Sequence, residues 1–226
     1  MMRRYHLIFP LCLGVLGFAL LTGLGLWQLQ RLAWKDAIIT DIERALDAAP
    51  VAMPAVPDPD VHQYLAVDVR GSLTGERVRV LTSRQEAGPG YRVIAVLETE
   101  GRRLLADLGF RAESEQVQLV TGEPIRIVGN VHWPDEHDPL FTPDPEGDLW
   151  FARDVPVMAA VLGVEPVLVV RRTSEPDVDG VAAWPVDVSG IRNTHLEYAI
   201  TWFGLAAVWL LMTGFWLHRL RWGRAA

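Results

Sequence analysis

His195, Tyr198 and Trp202 fall at i, i+3 and i+7. On a helix continued back to Asn193, the three side chains share one face: an imidazole followed by two aromatic rings. Tyr198 also opens an uncharged apolar stretch, 198–217, so this face lies at the depth where Tyr and Trp settle against lipid headgroups. Trp27, Gln28 and Arg31 sit at the end of a second uncharged stretch, 7–29, and a hairpin of two spans brings both groups to one level, where they can meet. Neutral imidazole is a common ligand of haem iron, aromatic rings accept a porphyrin face, and a guanidinium pairs with its propionates. His195, Tyr198, Trp202, Trp27 and Arg31 are therefore the candidate cofactor-binding residues. An interfacial histidine can equally cap or anchor its helix, and position alone leaves both readings open.

Little else in the chain has a spacing that supports chemistry. There is no Gly-x-Ser-x-Gly elbow, no phosphate loop and no His-Glu-x-x-His helix. Ser83, Ser114, Ser174 and Ser189 stand in no motif with a base. No catalytic residue is assigned, and an enzyme is not expected. His132-Trp133-Pro134-Asp135-Glu136-His137-Asp138 gathers two imidazoles and three carboxylates, a set that suits a divalent ion. Its spacing matches no known site, and a solvated acidic loop over 134–148 explains it as well. The single cysteine, Cys12, lies in the first apolar stretch. The rest of the chain thus has no thiol for a disulfide, a metal, redox work or covalent haem attachment.

The elements that position these residues begin with the two apolar stretches. At 1.5 Å per residue, about 23 and about 20 residues each match the roughly 30 Å hydrocarbon layer. Gly14, Gly17, Gly23 and Gly25 on the first offer close approach to a second helix. The tails, with Arg3 and Arg4 before the first span and Arg219, Arg221 and Arg224 after the second, carry no acid. Both tails are therefore expected in the cytoplasm, with the segment between them outside. That segment holds all 28 acidic residues and 16 of the 21 basic ones, a net charge near −12, which argues against nucleic acid as a partner. A cleaved signal peptide would share Arg3, Arg4 and an apolar run, but Leu26-Trp27-Gln28-Leu29-Gln30-Arg31 offers no small-x-small cleavage site. A span this close to Met1 leaves no room for a mitochondrial presequence, so a bacterial plasma (inner) membrane, with the middle in the periplasm, is the expected location.

Expected organisation is a first transmembrane helix over 7–29, a helical and Pro-rich connector over 30–60, a β-rich (α+β) extracytoplasmic domain over 61–192, a second transmembrane helix with its outer motif over 193–218, and a basic tail over 219–226. Within the domain, strands are expected at 64–69, 77–82, 92–98, 103–110, 123–132, 149–152 and 166–172, with turns at Gly71-Ser72, Gly88-Pro89-Gly90, Glu100-Gly101 and Thr121-Gly122. Asp154 with Pro156 predicts a helix that stops at Gly163. The fold class is then two transmembrane α-helices flanking a small, barrel-like sheet.

Two stretches, Leu24-Gly25-Leu26-Trp27-Gln28-Leu29-Gln30-Arg31-Leu32-Ala33-Trp34-Lys35 and Asn193-Thr194-His195-Leu196-Glu197-Tyr198-Ala199-Ile200-Thr201-Trp202-Phe203, resemble the terminal motifs of the surfeit locus protein 1 family of cytochrome c oxidase assembly factors. Phe141-Thr142-Pro143-Asp144 and Leu149-Trp150-Phe151-Ala152-Arg153-Asp154 resemble its central segment. The resemblance implies a non-enzymatic factor that handles haem a near the outer membrane face for insertion into oxidase subunit I. It implies subunit I, membrane lipid and haem a synthase as partners. The histidine of the family's second motif falls on His195, and the tryptophan of its first falls on Trp27. A haem-independent structural chaperone for subunit I is the alternative. The chain departs from the family where Leu108-Gly109-Phe110-Arg111-Ala112 replaces Arg-Gly-Trp-x-Pro, and where Thr194 follows Asn193.

Overall fold

The computed structural model describes residues 5–85, 87–114 and 119–222, with the backbone alone for Tyr5, His6 and Trp222. Arg3, Arg4 and Arg224, on which the expected orientation partly rests, lie outside the described residues. The elements in chain order are α1 (Tyr5–Leu46), α2 (Pro59–His62), β1 (Ala66–Arg84), β2 (Gly88–Thr99), β3 (Arg102–Ala112), β4 (Pro124–Val131), β5 (Leu149–Trp150), α3 (Val155–Leu162), β6 (Leu168–Glu175) and α4 (His195–Trp222). They divide into a helical unit, Met1–Asp41 with Ser189–Ala226, and a sheet domain, Ile42–Val188.

In the helical unit, α1 and α4 are each long and apolar enough to cross a membrane, and only 11% and 6% of their apolar windows is buried within the chain. Leu16, Leu20 and Leu211 are among the side chains left more than half exposed. Two helices with this much uncovered apolar surface need lipid around them, because water would penalise each exposed leucine by a kcal/mol or more. What they do bury is a seam along which they meet. A Cβ on Gly14 would come within 2.2 Å of Thr213, one on Gly17 within 2.4 Å of Trp209 and one on Gly25 within 2.7 Å of Phe203. Those partners descend in number as the glycines ascend, so the helices run antiparallel. Trp209 Nε1 donates to the Gly14 carbonyl at 3.0 Å, which satisfies the indole where water is excluded. Gly23 meets nothing within 4 Å and lies off the seam.

The sheet domain is built on one long strand. β1 pairs antiparallel with β4 over Ala66–Ser72 and with β2 over Ser72–Arg84, with a bulge between Leu73 and Arg77. The expected break at Gly71-Ser72 is therefore absent, and the two predicted strands are one. Gly71 is where β1 changes partner: a Cβ there would lie 2.0 Å from the Glu98 carbonyl oxygen, so the residue serves close approach rather than reversal. Gly88-Pro89-Gly90, expected as a turn, instead opens β2 opposite Thr82–Arg84. β2 pairs with β3 antiparallel, β3 with β6 parallel, and β6 with β4 antiparallel. The chain of pairings thus returns to β1 and closes the sheet, which removes most of its free edge. β5 adds to β1 in parallel at Arg79 and Val80.

Closure explains the unbroken apolar runs. Val93, Ala95, Leu97, Leu104, Ala106, Leu108, Val167 and Val169 turn to one core. The alternate residues Ile94, Leu105, Leu168 and Val170 turn to a second, with Trp150 and with Val155, Met158 and Ala159 of α3. β2, β3 and β6 are buried on both faces, so the two-residue alternation of a half-exposed strand is absent from them. α3 carries the predicted caps: Asp154 accepts from the Val157 N–H at 3.1 Å, and Gly163 is left-handed with φ 63°.

Candidate functional site

α4 begins at His195 itself rather than at Asn193. His195 Nδ1 lies 2.7 Å from Gln28 Oε1. Because an amide oxygen only accepts, the imidazole donates its Nδ1–H there, and the tautomer this selects for a neutral ring has its lone pair on Nε2. Gln28 is buried, at 9% exposure, so its side chain is fixed by packing and can orient the ring in turn. Around this pair α1 is tied by further polar contacts to the residues that lead into α4: Asn193 Nδ2 donates to Asp36 Oδ1 at 2.7 Å, and Lys35 Nζ donates to the Arg192 carbonyl.

The other candidate residues are placed differently. Tyr198 and Trp27 are 55% and 51% exposed, and Trp202 is half-buried. Arg31 lies over the Trp34 ring at 4.3 Å, a stacking that leaves the in-plane N–H groups of the guanidinium available. The structure thus brings His195 together with Gln28, which the sequence placed only at the same depth, and leaves Trp27 and Tyr198 presenting their rings outward. An imidazole that ligates a metal characteristically donates its other N–H to a fixed acceptor, and His195 with Gln28 has that arrangement.

A second polar cluster, in the sheet domain, has no counterpart in the sequence reading. Asp107, in the middle of β3, is fully buried. It accepts from Arg92 Nη1 at 2.6 Å, from the Gly109 N–H at 3.0 Å and from Arg153 Nη1 at 3.4 Å. Arg153 also grips Glu136 through Nε at 3.0 Å, and its own N–H donates to that carboxylate at 3.0 Å. Arg92 lies 4.1 Å from the Trp184 ring and donates to the Trp184 carbonyl at 3.2 Å. Burial, with the charge of Arg153 beside it, lowers the Arg92 pKa on balance, against the raising effect of Asp107 and Glu136. For Arg153 burial also acts downward, but the hydrogen bond to Glu136 and the charge of Asp107 outweigh it and the net shift is upward. Arg153 hydrogen-bonds Glu136 directly as well as Asp107, whereas Arg92 hydrogen-bonds Asp107 alone of the two, hence the opposite directions. The signal for this cluster was a lone Asp inside Leu104-Leu105-Ala106-Asp107-Leu108, which in a strand buried on both faces demands a partner.

Two members of the His132–Asp138 group, His132 and Glu136, are committed to other contacts. His132 Nδ1 lies 3.1 Å from Gln63 Nε2, its ring stacks on Tyr64 at 5.4 Å, and burial lowers its pKa to about 4. Glu136 is committed to Arg153. Among the described residues no three His, Cys, Asp or Glu side chains are arranged to hold a metal ion.

Comparison with known proteins converges on one family. The chain is 29% identical to surfeit locus protein 1 of Rattus norvegicus over 211 residues, covering 82% of this chain and 68% of the relative. It is 29% identical to the SURF1-like protein of Drosophila melanogaster over 214 residues, covering 82% and 70%. It is 30% identical to surfeit locus protein 1 of Xenopus tropicalis over 213 residues, covering 81% and 68%. The model of the SURF1 family matches residues 15–207, a span that takes in Gln28 and His195 and the whole sheet domain between them, and the chain belongs to the SURF1 family.

Proposed function

We propose that this chain is a non-enzymatic assembly factor for cytochrome c oxidase, which takes haem a through His195 and passes it to subunit I. In this reading it lies in a bacterial inner membrane with both termini cytoplasmic and the sheet domain periplasmic, and haem a synthase is the donor. The observation that carries the reading is the 2.7 Å contact of His195 Nδ1 with Gln28 Oε1, which leaves Nε2 as a preset iron ligand. Haem a would supply the iron that Nε2 ligates. Trp27 and Tyr198 offer exposed rings for its macrocycle, and Arg31 keeps donors for its propionates. Co-expression with a haem a synthesis system tests this: the purified wild type should show a Soret band, and His195→Ala should remain in the membrane with that band lost. Equal haem content in the two proteins defeats the proposal. A reporter fusion at Asp107 that is active in the cytosol defeats the orientation.

A second reading, a structural chaperone of subunit I that never touches haem, is favoured by one feature of the acidic loop. Leu140 and Phe141 are 86% and 83% exposed on a turn tied by Thr142 N–H to the Asp138 carbonyl at 2.8 Å and by Leu140 N–H to Asp138 Oδ1 at 2.9 Å. An ordered turn that holds two large apolar side chains in water suits a protein surface that covers them. Colourless protein that still crosslinks to subunit I from position 141 would select this reading.

A further inference from the structure

The sheet domain is strongly acidic, yet one cavity in it is lined by three arginines. Arg77 and Arg79 are two apart on β1, so they project from the same face, and they sit opposite Ala95 and Val93 of β2. Tyr91, two residues from Val93, pairs with Arg111 of β3. The three guanidiniums therefore come from the two strands that flank β2, on one side of the sheet. With Val93, Leu119 and Asp148 they line a cavity of about 160 Å³.

Among the described residues, one of the three has an ion-pair partner. Asp148 meets Arg79 side-on, with Nε at 2.7 Å and Nη2 at 2.8 Å. Arg77 and Arg111 have no carboxylate within ion-pair distance among the described residues. Arg79 and Arg111 both lie over the Tyr91 ring, at 4.9 and 5.5 Å, which limits how far either can swing away. The Nε–H of Arg111 is buried and has no acceptor. A buried donor without an acceptor is unfavourable, and three guanidiniums gathered beside Asp148, with Glu113 reached only through the Tyr91 hydroxyl at 3.4 Å, repel one another in a way that a bound anion would relieve.

We propose that this cavity is a binding site for a tetrahedral oxyanion of the phosphate class, held by Arg77 and Arg111 beside the Arg79–Asp148 pair. Among the described residues that line the cavity, three guanidiniums face one carboxylate, Asp148, and this excess of positive charge suits a tetrahedral oxyanion. The volume admits a phosphate group rather than a drug-sized molecule, whose pockets begin near 300 Å³. The phosphate belongs either to a soluble ligand or to an anionic lipid headgroup, and the two sources share this chemistry.

The test uses the full chain in lipid nanodiscs in a phosphate-free buffer, with arginine modification by phenylglyoxal read residue by residue by mass spectrometry. Three arms are compared: phosphatidylcholine discs, the same discs with millimolar inorganic phosphate, and phosphatidylglycerol discs. Protection of Arg77 and Arg111 but not of Arg70 by added phosphate supports a soluble source. The same protection in phosphatidylglycerol discs alone supports a lipid source. Equal modification of Arg77 and Arg111 in all three arms overturns the proposal. In the phosphate arm, ³¹P line broadening should weaken about tenfold for Arg111→Gln and stay unchanged for Arg70→Gln. An equal loss in both variants overturns it too. Because the protection readout uses the wild type, a misfolded variant leaves the test intact.

Discussion

Gln28 of the first helix accepts the Nδ1–H of His195 at the start of the last, across 2.7 Å and 167 residues of chain. The bond makes Gln28 a positioning residue. Gln28→Leu should keep the helices paired but release the ring, so haem content should fall without vanishing, whereas His195→Ala should abolish it. Gln28→Glu, which keeps an acceptor at the same place, should retain more haem than Gln28→Leu. Soret absorbance per protein in the three variants checks the order, and equal loss in Gln28→Leu and Gln28→Glu would remove the hydrogen bond from the account.

The seam between α1 and α4 has no room at Gly17, where a Cβ would fall 2.4 Å from Trp209. Gly17→Leu should force the helices apart at a cost of about 1–3 kcal/mol, the usual penalty of overpacking. Gly23→Leu, at a position that meets nothing within 4 Å, should be silent. Spin labels at Leu16 and Leu211, both facing away from the seam, in a Cys12→Ser background should show a broadened distance distribution for the first variant and an unchanged one for the second.

Both spans and the face shared by His195, Tyr198 and Trp202 were legible because lipid imposes length and because helical spacing is local. α3 was legible for the same reason: Asp154, Pro156 and Gly163 state its ends within ten residues. The sheet was less so. Gly71 looks like a turn in sequence because glycine serves reversals and close approaches alike, and only the carbonyl of Glu98 pressing on it distinguishes them. Gly109 is similar: its φ is 117° and a Cβ there would reach within 2.2 Å of the Ala182 carbonyl, a partner some seventy residues away. The Asp107 cluster was unreadable because its arginines come from β2 and from the residue before the Asp154 cap, and no spacing links them.

Asp107 is the residue whose loss should cost the domain most. Asp107→Asn leaves Arg92 and Arg153 buried without their shared charge, a change that typically costs about 3–5 kcal/mol. Asp68→Asn removes the partner of Arg126 in a half-buried, solvent-accessible pair at 2.7 Å, and should move the unfolding midpoint far less. Thermal unfolding of the detergent-solubilised chain, followed by β-sheet circular dichroism, measures both. Similar midpoints in the two variants would mean that the buried carboxylate is not what holds β2, β3 and the acidic loop together.

Acid should destabilise the domain through His132 before it reaches the carboxylates. Burial, aided by the charge of Arg153, lowers this imidazole to about 4 in the folded chain, against about 6.5 when unfolded. Between those values the unfolded chain binds a proton that the folded chain refuses, so stability falls as pH drops from about 6.5 toward 4, by about 1–2 kcal/mol at pH 5. Glu136, Glu165 and Asp148 have lowered values instead. The stability they contribute is lost only below the unfolded carboxylate range, near 4, which separates the two windows. His132→Phe keeps a ring against Tyr64 and removes the titration. Denaturant unfolding at pH 7 and pH 5 should show the wild type losing stability and this variant losing less. The same drop in both would place the acid-sensitive group elsewhere.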